Sequence, residues 1–229
     1  MSIVAILVDG GFFQKRANYL WGDAAPDERA DQLRHYCMRH ITKYDKLYRI
    51  FYYDCPPSAK QIYHPLLKRN INLGKSDLYV WMMSFQEAMR SKRKVALRLG
   101  TLSEINLQYV FKPELTKKLC SGSIRIEDLK ESDFQLNIIQ KGVDMRIGVD
   151  IASMAFKKQV NKMILISGDS DFVPAAKLAR REGIDFVLDP MGAAIRHDLN
   201  EHIDGLVSPA FVPTKKMMQE DTGEDDSVI

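Results

Sequence analysis

Residues 163–172 read MILISGDSDF, and this stretch decides the fold. Four apolar residues are followed by Ser-Gly and then by two carboxylates, Asp169 and Asp171. The pattern predicts a buried strand over 162–166, a sharp turn, and a helix over 172–182 that tolerates Pro174 in its first turn. Acids that follow a buried parallel strand lie where open α/β sheets bind ligands. For Asp171 an alternative role is the N-cap of the next helix.

A second strand with an acid at its end begins the chain. Residues 3–8 are apolar, as in a parallel strand covered on both faces, and Asp9-Gly10-Gly11 follows them. The two glycines permit a tight turn. Strands are also predicted at 47–53, 184–188 and 206–207, and helices at 12–20, 27–44 and 193–202. Strands that alternate with helices predict a three-layer α/β/α sandwich with a mainly parallel central sheet.

The middle of the chain is less regular. Residues 77–99 have mostly helical propensity, 107–111 and 134–140 are candidate short strands, and 115–130 fit neither type. Residues 144–157 predict a helix with one apolar stripe flanked by Asp144 and Asp150. We expect one domain over 1–212, with a divergent insert at about 71–140.

Composition narrows the class of protein. The chain has 229 residues, 45% hydrophobic, and a net charge of +3, which permits an anionic partner without requiring one. It has no apolar run long enough for a transmembrane helix and no signal peptide. Three cysteines without metal-ligand spacing favour a cytoplasmic protein with free thiols. Residues 213–229 are acidic overall and poor in core-forming residues, so we expect a disordered tail.

The acids predict a metal site. Asp9 follows the strand at 3–8, and Asp169 and Asp171 follow the strand at 162–166. The carboxyl ends of these strands meet at one sheet edge, and Asp144 begins the helix that precedes the strand at 162–166. Carboxylates this close do not all stay ionised without a cation. Oxygen donors favour Mg²⁺ or Mn²⁺, and no cysteine or histidine pattern favours a softer metal. Gly11 lies where a haloacid-dehalogenase phosphatase needs a second Asp, and no GxGxxG turn indicates a dinucleotide site.

These motifs resemble a known family. Val8-Asp9-Gly10, Lys141-Gly142-Val143-Asp144 and residues 167–174, SGDSDFVP, are similar to the NYN domain, in the LabA-like branch of the PIN-like nucleases, and residues 52–57 are similar to its second strand. The resemblance implies a metal-dependent ribonuclease on a PIN-like fold, with Asp9, Asp144, Asp169 and Asp171 as catalytic metal ligands and RNA as partner. Three residues after its first Asp the family often has Asn, and this chain has Phe12.

Other candidates have two interpretations each. Asp150 either supports the metal ligands or forms an ion pair, and Ser167 and Ser170 either contact phosphate or metal-bound water or form turn hydrogen bonds. Candidate phosphate contacts, which are equally typical of a solvated surface, are Lys141, Arg90, Lys92, Arg93 and Lys94. A non-catalytic RNA-binding or regulatory protein that retains the acidic pocket is the alternative function. The oligomeric state stays open between a monomer and a homo-oligomer.

Overall fold

The computed structural model describes residues 1–103, 105, 107–195 and 197–213. The acidic tail predicted at 213–229 therefore lies almost wholly outside the described residues. The strands are β1 (Ser2–Asp9), β2 (Asp45–Asp54), β3 (Gln61–His64), β4 (Arg69–Asn72), β5 (Val95–Leu99), β6 (Thr101–Leu102), β7 (Tyr109–Phe111), β8 (Phe134–Leu136), β9 (Gln140–Lys141), β10 (Lys162–Ile166), β11 (Asp185–Asp189) and β12 (Gly205–Leu206). The α-helices are α1 (Gly10–Trp21), α2 (Pro26–Met38), α3 (Asp77–Ser91), α4 (Pro113–Cys120), α5 (Val143–Phe156), α6 (Val173–Arg181) and α7 (His197–Asn200).

A parallel sheet with helices packed around it carries the largest part of the chain. Its six strands among the described residues lie in the order β12-β11-β10-β1-β2-β5, and each neighbouring pair is parallel. β1 and β10 are central, and Val4–Val8 and Met163–Ile166 are buried. Continuous burial explains why both strands are apolar without alternation. The predicted mixed α/β fold with a mainly parallel sheet is confirmed.

The chain divides into two compact units. The first unit comprises Met1–Asp54, Ser84–Gly100 and Gly142–Ile229, and it contains the parallel sheet. The second unit comprises Cys55–Met83 and Thr101–Lys141 and contains three antiparallel pairs, β3–β4, β6–β9 and β7–β8. Its small core contains Ile62, Leu73 and Leu107. The boundaries proposed from the sequence, one domain with an insert at about 71–140, stay a prediction.

Three helix predictions were wrong in extent. The region 77–99 is not one helix, because α3 ends at Ser91 and Val95–Leu99 forms β5, which pairs with Ile50–Asp54. Lys94, with a φ of 59°, reverses the chain between the two elements. The helix predicted over 27–44 ends at Met38, and of the one predicted over 193–202 only His197–Asn200 is α-helical among the described residues. In the part of the chain that is described, no helix is both apolar enough and long enough to cross a membrane.

Candidate functional site

The carboxyl ends of β1 and β10 place two predicted site residues side by side. The strands pair in parallel with Val8 opposite Ile166, so Asp9 and Ser167 are neighbours where the strands end. The Ser167 hydroxyl, which is fully buried, donates to Oδ2 of Asp9 at 3.2 Å. The hydroxyl oxygen of Ser167 in turn accepts the backbone N–H of Asp169 at 3.2 Å. Ser167 therefore connects the acid after one strand to the acid after the next.

Asp9 is the most buried of the predicted ligands. It is the N-cap of α1, and its Oδ1 accepts the N–H of Phe12 at 3.1 Å. Burial raises the pKa of Asp9, the Phe12 and Ser167 hydrogen bonds oppose that rise, and the nearby Asp144 and Asp169 carboxylates add to it. A nearby cation would therefore stabilise the ionised form of the Asp9 carboxylate.

Asp169, and not Asp171, is an N-cap in this segment. Asp169 caps the single 3₁₀ turn Ser170–Phe172, with its Oδ1 accepting the N–H of Asp171 at 3.0 Å. Asp171 lies inside that turn, and the residue at the N-cap of α6 is Phe172. The N-cap alternative for Asp171 was therefore wrong. Both carboxylates are exposed.

Asp144 lies in the first turn of α5 and contributes to the same electrostatic group. Gly142 is the N-cap of α5, with a left-handed φ of 79°, so Asp144 is not the cap. Burial raises the pKa of Asp144, and the carboxylates of Asp169 and Asp171 raise it further. α5 also contacts the Ser170–Phe172 turn. Asp9 is thus within electrostatic range of Asp144 and Asp169, and Asp144 is within electrostatic range of Asp169 and Asp171.

The acids do not form a compact ligand cluster. Among the described residues, no group of three His, Cys, Asp or Glu side chains is close enough to hold a metal ion. The donors are nevertheless all carboxylate oxygens, the ligands that hard divalent cations prefer. Asp144, Asp169 and Asp171 are exposed, which leaves room for a hydrated ion bound through one or two of their carboxylates.

Asp150 has protein partners. Its Oδ2 accepts the hydroxyl of Tyr53 at 2.8 Å and Nε of Arg98 at 3.1 Å. The Asp150 carboxylate and burial raise the pKa of Tyr53, burial being the larger cause. The ion-pair interpretation of Asp150 therefore describes its contacts, which link α5 to β2 and β5.

Most of the basic residues near the end of α3 also have partners within the chain. Arg90 pairs with Glu87 at 2.9 Å, Lys92 pairs with Asp31, and Lys94 donates to the carbonyl of Leu47 at 3.0 Å. Arg93 also has an interaction partner. Lys141 is exposed on β9 in the second unit. These contacts favour a structural role for the residues around the α3 end.

Two glycines beside the acids fit tightly against neighbouring side chains. A Cβ on Gly10 would lie 2.6 Å from the Tyr52 ring and from the Tyr53 carbonyl oxygen. A Cβ on Gly168 would lie 2.8 Å from Cε2 of Phe12. The sequence suggested that Gly10 and Gly11 permit a tight turn, whereas the structure shows that the absence of a side chain at Gly10 makes room for Tyr52 and Tyr53 of β2. Phe12 covers Gly168.

One acid at this sheet edge was not singled out from the sequence. Asp189 ends β11, is fully buried, and accepts four hydrogen bonds. The donors are Tyr36 Oη at 2.6 Å, His40 Nε2 at 2.9 Å, Met191 N at 2.7 Å and Ser208 Oγ at 2.6 Å. The signal available in the sequence was an acid directly after the strand predicted at 184–188. With all its partners inside the protein, Asp189 ties α2 to the sheet.

A family model matches part of the chain. The model of the NYN domain matches residues 84–196. This range includes Asp144, Asp169 and Asp171 and excludes Asp9. NYN domains belong to the PIN-like nuclease superfamily and are generally related to RNA, and NYN nucleases generally depend on a divalent metal.

Comparisons beyond the family model add little. No curated protein matches the chain. A crystal structure of a Vibrio parahaemolyticus protein of unknown function is similar at 15% identity and a TM-score of 0.48, over 90% of this chain and 91% of that one.

Proposed function

We propose that this protein is a metal-dependent ribonuclease of the LabA-like NYN type, which hydrolyses RNA phosphodiester bonds. The observation that carries the proposal is that Asp9, at the end of one central parallel strand, is within electrostatic range of Asp169, which follows the neighbouring strand, and of Asp144 in the first turn of α5. Asp9 and Asp144 have pKa values raised by burial, and neighbouring carboxylates add to both shifts. Carboxylates that raise one another's pKa destabilise the fold unless a cation or a chemical role compensates. The match of residues 84–196 to the NYN domain supports the same class.

Asp9, Asp144, Asp169 and Asp171 would hold Mg²⁺ or Mn²⁺. Such ions usually keep several waters and bind proteins through one or two carboxylates plus substrate phosphate, so three preassembled ligands are not needed. When bound, the ion supplies charge neutralisation at the phosphate and lowers the pKa of coordinated water.

The protein's own side chains have separable tasks. Ser167 fixes Oδ2 of Asp9 and the backbone at Asp169, so the two acids keep a defined spacing. Asp144 and Asp171 are exposed, where a carboxylate oxygen can accept the proton of an attacking water.

A non-catalytic RNA-binding or regulatory protein is the second candidate. Two observations favour it. Among the described residues no three-ligand group is preassembled, and Phe12, where the family often has Asn, packs on Gly168 beside the acids. Under this alternative the acids remain as a charged pocket without turnover.

Cleavage of labelled single-stranded and structured RNA, with and without Mn²⁺, separates the candidates. We expect Mn²⁺-dependent cleavage by the wild type and loss of at least about a hundredfold in Asp169→Asn, since removal of one key electrostatic group costs about that much. The matched control is Asp185→Asn. Asp185 is the first residue of β11, at the end of the strand away from the site, and it pairs with Lys162. No cleavage by the wild type, or equal cleavage by Asp169→Asn, refutes the nuclease. RNA binding without turnover that a chelator leaves unchanged supports the alternative.

A further inference from the structure

A cavity of about 560 Å³ lies within the first unit and shares no lining residue with the acids described above. Its walls come from the end of α1, from one face of α2, from the turn after β11 and from residues 208–213. We call this feature the α2 pocket. Its volume is within the range of small-molecule sites, which are about 300–1,000 Å³. The side chains in its walls therefore decide what it can bind.

Three aromatic rings form one wall of the α2 pocket. The centroid of the Trp21 ring lies 4.9 Å from that of Phe211 and 5.4 Å from that of Tyr36. The Tyr36 and Phe211 centroids are 5.7 Å apart, so the three rings contact one another. Leu20 and Val212 extend this apolar surface and are largely exposed. A wall of this kind favours a ligand with a flat ring.

One buried polar side chain in the wall has an amide nitrogen without a partner. Gln32 is 3% exposed, and its Oε1 accepts Nη1 of Arg29 at 2.7 Å. Since a guanidinium only donates, the amide atom that faces Arg29 is the oxygen, and Nε2 is turned away from it. No described residue accepts a hydrogen bond from this Nε2, which, unlike Nε of Arg29, is not sealed from solvent. Gln32 therefore offers the α2 pocket a fixed hydrogen-bond donor.

Two carboxylates of the α2 pocket also lack contact partners. Asp23 and Glu28 are exposed, and neither forms a hydrogen bond or a contact ion pair within the described part of the chain. Glu28 and Gln32 are four residues apart on α2, so they are neighbours on one face of that helix. The α2 pocket thus presents a charged acceptor beside a fixed donor.

The charges around the α2 pocket nearly cancel. Burial lowers the pKa of Arg29, and the nearby carboxylates of Glu28 and Asp23 oppose that shift. Arg16 donates to the turn after β11, and Asp189 accepts the hydroxyls of two wall residues. Three carboxylates therefore face two guanidinium groups, which disfavours an anionic group inside the pocket. A small organic cation would leave Nε2 of Gln32 without an acceptor, whereas a neutral ring with both N–H donors and an acceptor satisfies both side chains.

We propose that the α2 pocket binds a guanine base. The O6 atom of guanine would accept Nε2 of Gln32, and the adjacent N1–H and 2-amino groups would donate together to the Glu28 carboxylate. Adenine and uracil offer this pair of side chains only one hydrogen bond each, so guanine binds more tightly. The guanine belongs either to a free nucleoside or to an RNA strand, and the same base edge is bound in both. The inference goes beyond the proposed nuclease and does not depend on it.

Isothermal titration calorimetry in EDTA tests the proposal on the wild type with guanosine, inosine and adenosine. Inosine lacks the 2-amino donor, so we expect it to bind about tenfold more weakly than guanosine, the scale of one hydrogen bond to a charged group. Adenosine should bind at least as weakly as inosine. These comparisons need no substitution, so they do not depend on the folding of a variant.

Two substitutions test the named side chains. Glu28→Gln should weaken guanosine binding about tenfold and abolish the preference for guanosine over inosine. Gln32→Glu keeps an acceptor for Arg29 but removes the amide donor, so it should also weaken guanosine binding about tenfold. Circular dichroism of each variant checks that it is folded.

Asp27→Asn is the matched control. Asp27 is the neighbouring acid in the first turn of α2, is exposed, and does not line the α2 pocket. This variant should bind guanosine as the wild type does. The labelled RNA oligomers UUGUU and UUUUU identify the source of the base. Tighter binding of UUGUU than of both guanosine and UUUUU indicates guanine within RNA, whereas binding of guanosine without binding of UUGUU indicates the free nucleoside.

Three results overturn the proposal: adenosine binds the wild type as tightly as guanosine, Glu28→Gln binds guanosine as the wild type does, or neither guanosine nor UUGUU binds at millimolar concentration. Failure here is distinct from failure of the nuclease proposal. Mn²⁺-dependent RNA cleavage without guanosine binding leaves the ribonuclease intact, and guanosine binding without cleavage leaves the α2 pocket intact.

Discussion

The hydroxyl of Ser167 donates to Oδ2 of Asp9 at 3.2 Å while accepting the N–H of Asp169 at 3.2 Å. One buried oxygen therefore sets the spacing of two candidate metal ligands that are far apart in sequence. Ser167→Ala removes this connection and leaves the N–H of Asp169 without its acceptor. We expect a loss of about 1 kcal/mol in the free energy of unfolding. We also expect RNA cleavage to fall about 10- to 100-fold, as when partners of metal ligands are removed.

Ser170→Ala is the stability control for this change. The Ser170 hydroxyl makes no hydrogen bond to another described residue, so we expect near wild-type stability. Urea denaturation measures the stability of both variants, and single-turnover cleavage measures the activity of Ser167→Ala. If Ser170→Ala destabilises the protein as much as Ser167→Ala does, the connection through Ser167 is not the cause.

Asp9→Asn should change how stability depends on pH. The pKa of Asp9 is raised above its unfolded value of 3.8. The folded state then binds more protons than the unfolded state just above that pH, so stability falls as pH rises from about 3.8 to the folded pKa and is level beyond it. Asn keeps the acceptor for the Phe12 N–H but carries no charge. We expect this variant to match the wild type at low pH and to exceed its melting temperature at neutral pH.

Asp45 provides a control of opposite sign. Hydrogen bonds from Thr42 lower the pKa of the Asp45 carboxyl, so its ionised form stabilises the fold above pH 3.8. Asp45→Asn should therefore lower the melting temperature at neutral pH.

Mn²⁺ should raise the melting temperature of the wild type more than that of Asp9→Asn, because a ligand that binds the folded state stabilises it. Equal Mn²⁺ shifts in both proteins would exclude Asp9 as a ligand.

Gly168→Ala should destabilise the protein through Phe12. The added Cβ would lie 2.8 Å from Cε2 of Phe12, too close for ordinary contact, so the ring must shift. We expect a cost of about 1–3 kcal/mol, typical of overpacking. Phe12→Ala removes the obstacle, so in a double-mutant cycle Gly168→Ala should cost much less in the Phe12→Ala background.

Gly148→Ala serves as the comparison for the glycine itself. Gly148 lies within α5, and a Cβ there would have no neighbouring atom within 4 Å. We expect this change to stabilise the protein by about 0.5–1 kcal/mol. Equal destabilisation by both glycine changes would attribute the Gly168 effect to the backbone and not to Phe12.

The sheet was predictable where strands are buried on both faces. Continuous apolar runs at 3–8 and 163–166 indicated β1 and β10 without knowledge of their partners. β5 was missed because Val95–Leu99 directly follows a helix and a basic segment, and it becomes a strand only by pairing with β2. The β3–β4 hairpin was missed because its turn has no Gly or Asn, and Lys68 takes a left-handed φ of 50°.

The site was predictable to a similar degree. The places of Asp9 and Ser167 at the ends of two predicted strands were enough to predict that they lie close together, because neighbouring parallel strands end at the same edge of a sheet. The partners of Asp150 were not predictable, since Tyr53 and Arg98 are 97 and 52 residues away in sequence. Capping depends on backbone dihedral angles, which explains why the N-cap interpretation of Asp171 was wrong.

Tyr36→Phe should reveal how strongly burial strengthens a phenol–carboxylate hydrogen bond. The Tyr36 hydroxyl donates to Oδ2 of Asp189 at 2.6 Å, with both residues buried, and burial together with the Asp189 carboxylate raises the pKa of Tyr36 so that it stays a donor. We expect a loss of about 1.5–3 kcal/mol, the range for hydrogen bonds to charged groups. Tyr53→Phe removes the same kind of bond at 2.8 Å, but the Asp150 side chain is 23% exposed and also paired with Arg98, so its loss should be smaller. Urea denaturation of both variants gives the comparison, and a larger loss for Tyr53→Phe would contradict the argument from burial.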